Sequence, residues 1–312
     1  MDALVPLRSA VRAQLEKFSA GDLVVVAVSG GADSLALAAA TQVESEKLAL
    51  KLKAIVIDHQ LQPGSDKVAK NVIMQLNQLK IDTVIMKVDV EVKDGLEASA
   101  RRARYEALSN FARLNSAVAV FLGHTKDDQA ETVLLGLARG SGARSLSGMA
   151  QLSGIYIRPF LEITREQTMA ACKELNLEPW QDPHNEDQNF LRVRARKNVL
   201  PVMERELGPG IKEALVRSAQ LLRDDADALD QLADSFWAGD KSLEIESLAK
   251  LPKAVRTRVL RLALFESGVT QLSAEQVGQV EALISNWRGQ GEVSLPSGVK
   301  VSRISGRLTL SK

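Results

Sequence analysis

Two short stretches carry residue types and spacings that could do chemistry. The first is Ser29-Gly30-Gly31-Ala32-Asp33-Ser34. It follows Val24-Val25-Val26-Ala27-Val28, which reads as a strand buried on both faces. From Leu35 to Val43 the chain is rich in Ala and Leu and reads as a helix. A strand, a glycine turn and a helix start together make a phosphate-binding device, because free backbone N–H groups and the positive helix end converge on one spot. Glycines let an anion come close. Ser29 and Ser34 add hydroxyls, and Asp33 suits a Mg²⁺ that bridges phosphates. The pattern is neither a Walker loop nor a dinucleotide G-x-G-x-x-G. The plainer reading is a glycine turn with an Asp N-cap.

The second stretch is Gly123-His124-Thr125-Lys126-Asp127-Asp128-Gln129-Ala130-Glu131-Thr132. Asp128 and Glu131 are three apart, hence neighbours on one helix face. Two carboxylates there could bind a cationic substrate, and Asp127 could assist a metal or a proton transfer. A helix start that simply favours acids explains the same residues equally well. The densest basic run in the second half of the chain is Arg192, Arg194, Arg196 and Lys197. On a helix, Arg192 and Arg196 share a face and suit phosphate contacts; a solvated face is the alternative. Arg101-Arg102-Ala103-Arg104 is a second basic cluster, and Lys253, Arg256, Arg258 and Arg261 form a third set suited to nucleic-acid backbone.

The elements that must position these residues follow from periodicity. Helices are expected at about 4–17, up to 46, 65–79 and 95–114. Strands are expected at about 23–28, 52–58, 83–88 and 118–122. Strands alternating with helices predict a doubly wound parallel sheet, with ligands beyond the carboxyl ends of its strands. Ser29-Gly30-Gly31, Asp58-His59 and Gly123-His124 all fall there. A short strand at 155–160 and a helix at 164–175 follow, then a polar loop from Trp180. From Phe190 to Asp234 the pattern is helical, broken near Gly208-Pro209-Gly210. The C-terminal piece reads as helices at 252–266 and 273–286, then β segments at 292–295, 299–303 and 307–310. The expected organisation is a catalytic α/β domain over 1–208, a helical linker over 209–240, and a small α+β domain over 241–312. Trp237 and Trp287 are expected in cores.

Composition limits the function classes. The chain has 312 residues and a net charge of +1, so any nucleic-acid partner must be held by local basic patches. With one cysteine, Cys172, it can form no internal disulfide, no Cys-rich zinc site and no two-cysteine redox or sulfur-transfer chemistry. Cys172 reads as a small buried hydrophobe. No 18-residue apolar run and no signal peptide is evident, so a cytoplasmic enzyme is expected.

The order Ser-Gly-Gly-x-Asp-Ser resembles the pyrophosphate loop of the N-type ATP pyrophosphatases. The block from His124 through Leu137-Ala138-Arg139-Gly140-Ser141-Gly142 to Leu146-Ser147-Gly148-Met149 is more specific. It resembles the signature region of the tRNA(Ile)-lysidine synthases. The likeness extends to Asp58-His59-Gln60-Leu61, Gly95 to Arg101, Arg104-Tyr105, Arg158-Pro159-Phe160-Leu161, Asp182-Pro183-His184-Asn185, and Phe190 to Arg196. It covers about residues 20–235, and the remainder more loosely. Gln60 stands where the family usually has Gly, and Val193 where Asn is common. Many members carry a further C-terminal domain.

The resemblance implies a ligase that uses ATP and Mg²⁺ on the wobble cytidine of a tRNA(Ile) with anticodon CAU. ATP adenylates the oxygen on carbon 2, releasing pyrophosphate; an amino group of free lysine then attacks that carbon and displaces AMP. Lysidine pairs with adenosine, so codon and amino-acid specificity change from methionine to isoleucine. Asp33 would hold magnesium, and Ser29 to Ser34, with His59, Arg101 and His124, the nucleotide. Asp128 and Glu131 would bind lysine, and Asp127 or Asp128 would remove a proton. Arg192, Arg194, Arg196 and Lys197 would hold RNA beside the flipped base. The chief rival is a related enzyme that adenylates another acceptor. A thiolase would need catalytic cysteines or an iron–sulfur cluster, which one cysteine cannot supply; a small-molecule amidotransferase would need an ammonia source, and with no glutaminase segment evident free ammonia would have to serve. The oligomeric state is left open, a homodimer included.

Overall fold

The computed structural model describes residues 2–58, 65–89, 91, 95–140, 142–239 and 243–312. His59 of the expected nucleotide site, and Gln60 and Leu61 beside it, lie outside the described residues. The chain divides into two compact units, Met1–Gln220 and Leu221–Lys312.

The first unit begins with α1 Leu4–Leu15, β1 Leu23–Val28, α2 Ala32–Lys47, β2 Lys51–Asp58, α3 Ser65–Gln78, β3 Asp82–Lys87, α4 Leu96–Leu114, β4 Ala117–Leu122 and α5 Lys126–Ala138. Then come α6 Ala143–Leu146, β5 Leu152–Ser153, β6 Tyr156–Ile157 and α7 Arg165–Glu174. The strand expected over 155–160 is only Tyr156–Ile157. Pro159 has no N–H to extend a ladder. The short elements α6 and β5 have too few residues to show a period, and the sequence does not announce them.

The strands lie in the order β3-β2-β1-β4-β6-β5, parallel except for β5 against β6. The order reverses between β1 and β4, and at such a switch point the crevice outside the carboxyl ends is the ligand site. Alternation along the strands feeds two cores. Val24, Val26 and Phe121 pack with Leu7, Leu35, Val72 and Cys172. Val25, Val120 and Leu122 pack with Leu108 and Ala112. Helices α2 and α4 therefore flank the sheet on opposite faces. Within the first core layer Glu44 of α2 is buried and gripped by Arg8 and Arg12 of α1, at 2.7 Å each, and by Lys47 at 3.1 Å.

Beyond the polar loop come α8 Leu191–Arg194, a π-helical turn at Ala195–Val199, and α9 Leu200–Glu206. Gly208 and Gly210 take φ of +99° and +94°, which ends the helical run. Helix α10 Ile211–Gly239 follows. The second unit adds α11 Ile245–Ala249, α12 Lys253–Glu266 and α13 Ala274–Ser285, with an antiparallel sheet of β7 Val293–Ser294, β8 Lys300–Ile304 and β9 Arg307–Ser311. Its core holds Trp237, Leu248, Val259, Leu283, Val301 and Leu308. Trp287, expected in a core, is 39% exposed and lies under the Arg303 guanidinium at 5.3 Å. Arg256, expected to face nucleic acid, is turned inward onto the buried carboxylate of Glu281. No helix among the described residues is long and apolar enough to cross a membrane.

Candidate active site

The loop after β1 is built by its own side chains. The Ser34 hydroxyl donates to the Gly31 carbonyl (2.9 Å) and accepts from the Ser29 N–H (3.2 Å), closing the turn. The first intrahelical bond of α2 runs from Leu35 N–H to Gly31 O. The N–H groups of Ala32, Asp33 and Ser34 thus start the helix without intrahelical acceptors. Gly30 has a φ of +88°, and a Cβ there would lie 2.6 Å from Val72. Gly123, just past β4, has a packing role. A Cβ would come within 3.0 Å of the backbone at Asp33 and Ser34, tighter than ordinary contact, so glycine eases the close approach of the two stretches.

Asp33 stands in the first turn of α2 and accepts from the Thr168 hydroxyl at 2.5 Å. Its second oxygen lies 3.5 Å from Nε of Arg165, and Nη2 of the same guanidinium is 3.3 Å from Asp128. One arginine therefore joins the two stretches. Burial raises the Asp33 pKa above the ordinary carboxylate value; Thr168 and Arg165 oppose the shift, and the charge of Asp128 adds to it.

Helix α5 starts with a capping box. Asp128 accepts from the N–H of Thr125 at 2.8 Å, which fixes its carboxylate at the strand end. Asp127 points elsewhere: its oxygens accept from Nζ of Lys212 (2.8 Å) and from the Arg165 N–H (2.9 Å). Burial alone would raise its pKa, but these donors lower it. Glu131 is 1% exposed and takes a two-pronged grip from Arg196, at 2.6 and 3.1 Å; Arg192 approaches to 3.5 Å and also donates to Thr132. The acids read as a lysine site and the two arginines read as an RNA site therefore meet each other. Arg194 and Lys197 do not join them. Arg194 donates to the carbonyl of Gln188, and Lys197 pairs with Glu186. Arg101 lies over the ring of Tyr105 at 4.8 Å. His124 is held neutral: burial and the charges of Arg104, Arg158 and Arg101 outweigh Asp128 and push its pKa down to about 3.

Sequence reasoning missed Arg165, Thr168 and Lys212. A signal existed for the first two. Thr164 and Gln167 form a capping box, which marks a helix start beside the sheet edge. Lys212 carried none, since its partner is 85 residues away. Cys172 is buried against Ala32, and burial raises its thiol pKa to about 12, so it is inert.

The donor set fits magnesium. Hard carboxylate oxygens of Asp33 and Asp128 already share one cation, Arg165, beside a phosphate-type loop. No group of three His, Cys, Asp or Glu side chains among the described residues is placed to hold a metal alone. A metal here would complete its shell with phosphates and water.

Comparison with known proteins shows what the chain is similar to. A family model described as a PP-loop domain matches residues 7–203, and one described as the TilS substrate binding domain matches residues 243–309. The chain is 48% identical to the tRNA(Ile)-lysidine synthase of Thermobifida fusca, over 98% of this chain and 96% of that protein. It is 49% identical to the tRNA(Ile)-lysidine synthase of Streptomyces coelicolor, over 92% of this chain and 85% of that protein. Among solved structures it resembles the U34-tRNA thiolase NcsA from Methanococcus maripaludis with its 4Fe–4S cluster. The TM-score is 0.59 at 18% identity, over 70% of this chain and 78% of that one, which is a likeness of fold.

Proposed function

This chain belongs to the tRNA(Ile)-lysidine synthase family, and from that premise we propose that it joins free lysine to carbon 2 of the wobble cytidine in the CAU anticodon of tRNA(Ile). The carrying observation is that Arg165 ties the loop acid Asp33 to Asp128, so the phosphate-binding and the acidic stretch form one centre.

Cytosine's carbonyl carbon is a poor electrophile until its oxygen becomes part of a leaving group. The oxygen attacks the α phosphate of ATP, and pyrophosphate departs. Donors of Ser29 to Ser34 are preorganised for the charge that develops on it. Asp33, with Asp128 beside it, would hold magnesium, whose charge would neutralise the phosphates. The lysine amino group then attacks carbon 2, the bond to oxygen breaks, and AMP leaves. Asp128 and Glu131 supply the negative field for the lysine cation, which must share them with Arg165, Arg192 and Arg196. Asp127 or Asp128 takes the proton; both carboxylates are hydrogen-bonded on both oxygens, Asp127 by Lys212 and the Arg165 N–H and Asp128 by Thr125 and the Arg165 side chain. RNA is held by local charge: Arg192 and Arg196 lie against Glu131 at the centre, and Arg194 and Lys197, turned to Gln188 and Glu186, add charge along the same helical run. A cytoplasmic setting follows from the substrate.

Pyrophosphate release from ATP tests this reading. It is expected only when a CAU-anticodon tRNA(Ile) is present. Release without RNA but with a small carboxylate acceptor would replace it with a small-molecule adenylating enzyme.

A further inference from the structure

The cation that joins the loop to the acidic helix is held unlike Arg196 or Arg8. Arg196 grips Glu131 at 2.6 and 3.1 Å, and Arg8 and Arg12 grip Glu44 at 2.7 Å each. Arg165 stands between two carboxylates and closes on neither. It lies 3.5 Å from Asp33 and 3.3 Å from Asp128, outside the roughly 2.7–2.9 Å of a tight charge-assisted bond. The two acids divide their oxygens in the same way. Oδ1 of Asp33 is held by the Thr168 hydroxyl and Oδ2 of Asp128 by the Thr125 N–H, while Oδ2 of Asp33 and Oδ1 of Asp128 are turned to Arg165. The Arg165 backbone is fixed: it opens α7 within the Thr164–Gln167 capping box, and its N–H donates to Asp127 at 2.9 Å. Its side chain is freer, being 29% exposed, so solvent reaches the gap between the acids. Burial opposes its charge, but Asp128, Asp33, Glu131 and Asp127 outweigh burial and keep it protonated.

We propose that Arg165 is a positioning residue that makes magnesium binding depend on the nucleotide: guanidinium and divalent cation compete for Oδ2 of Asp33 and Oδ1 of Asp128, and the guanidinium yields them when the phosphates of ATP take it up instead. Magnesium is commonly held by one or two carboxylates plus substrate phosphates, and a guanidinium takes phosphate oxygens in pairs. The same phosphates therefore serve both cations. Only side-chain torsions of Arg165 need change, because Thr168, Thr125 and the Arg165 N–H keep the two acids and the start of α7 in place. The identity of the metal and the nucleotide rests on the proposed function; the competition for the two carboxylates does not.

Full-length wild type, Arg165→Gln and Arg165→Lys are compared in two arms. In the first, Mn²⁺ stands in for Mg²⁺ without nucleotide, and bound metal is read from the loss of the free-ion electron paramagnetic resonance signal. In the second, a non-hydrolysable ATP analogue is titrated calorimetrically in the presence of EDTA. Arg165→Gln is expected to bind Mn²⁺ about tenfold or more tightly, because a repelling unit charge a few ångströms away is gone. The same variant should bind the analogue about tenfold less tightly, having lost a charge-assisted contact. Arg165→Lys keeps the charge without the planar fork, so it should stay within about threefold of wild type for Mn²⁺ and lose part of the analogue affinity. An arginine that only supported the fold would not raise one affinity while lowering the other. Unchanged or weaker Mn²⁺ binding by Arg165→Gln overturns the proposal, as does analogue binding at the wild-type level or tightened Mn²⁺ binding by Arg165→Lys. Neither arm contains RNA or lysine, so failure of the lysidine reading leaves both readable.

Discussion

Each acid at the centre has a resident cation, and that decides what a single substitution does. Asp33 faces the loop and shares Arg165 with Asp128. Asp33→Ala is expected to cut turnover by about 10²–10³-fold or more while the fold persists; near-wild-type lysine incorporation by the folded variant would remove Asp33 from the phosphate chemistry. Glu131 is the other kind of residue. Its carboxylate is almost fully buried and depends on Arg196. Arg196→Ala should cost about 3 kcal/mol of stability in chemical denaturation, because it strands a buried charge. A loss under about 0.5 kcal/mol would mean that the pair is dispensable surface electrostatics. The residue types at the centre were legible in the sequence, and so was the shared face of Arg192 and Arg196. That this face turns toward Glu131, 65 residues back, was not, since no local pattern encodes a pairing at that separation.

At the scale of elements, the loop works because neighbouring elements come close. Gly123 lets the end of β4 touch the start of α2. Gly123→Ala should displace the loop and slow ATP cleavage by about 10²-fold with little change in melting temperature; unaltered cleavage would show that the contact gives way freely. The α1–α2 seam has a pH signature. Burial would raise the Glu44 pKa, but Arg8, Arg12 and Lys47 together bring it from 4.5 down to about 2. A depressed carboxylate stabilises the fold fully above pH 4.5, and the contribution fades as pH falls toward 2. The gap in melting temperature between wild type and Glu44→Gln should therefore shrink over that range. A gap that stays constant would contradict it. Long periodic segments such as β1 and α4 were readable from sequence within two residues of the observed bounds. The strand order was not, because pairing joins segments far apart in the chain, and two-residue strands such as β5 have no period to read.

For the whole molecule, a net charge of +1 leaves RNA recognition to local patches, and several basic residues are spent on internal acids. Trp287 is exposed on the second unit, the part matched by the substrate-binding model, with the half-buried Arg303 guanidinium over its ring. Trp287→Ala with Arg303→Ala is expected to weaken tRNA binding without changing pyrophosphate release per bound complex. An equal affinity would free that face of any role in RNA contact. In the proposed function one centre both splits ATP and places lysine on the wobble base. The direct measurement is incubation with ATP, labelled lysine and CAU-anticodon tRNA(Ile), followed by nucleoside analysis. Label is expected in a single modified cytidine from the wobble position, dependent on ATP. Pyrophosphate release with no labelled nucleoside, or label that does not depend on the CAU anticodon, would contradict it.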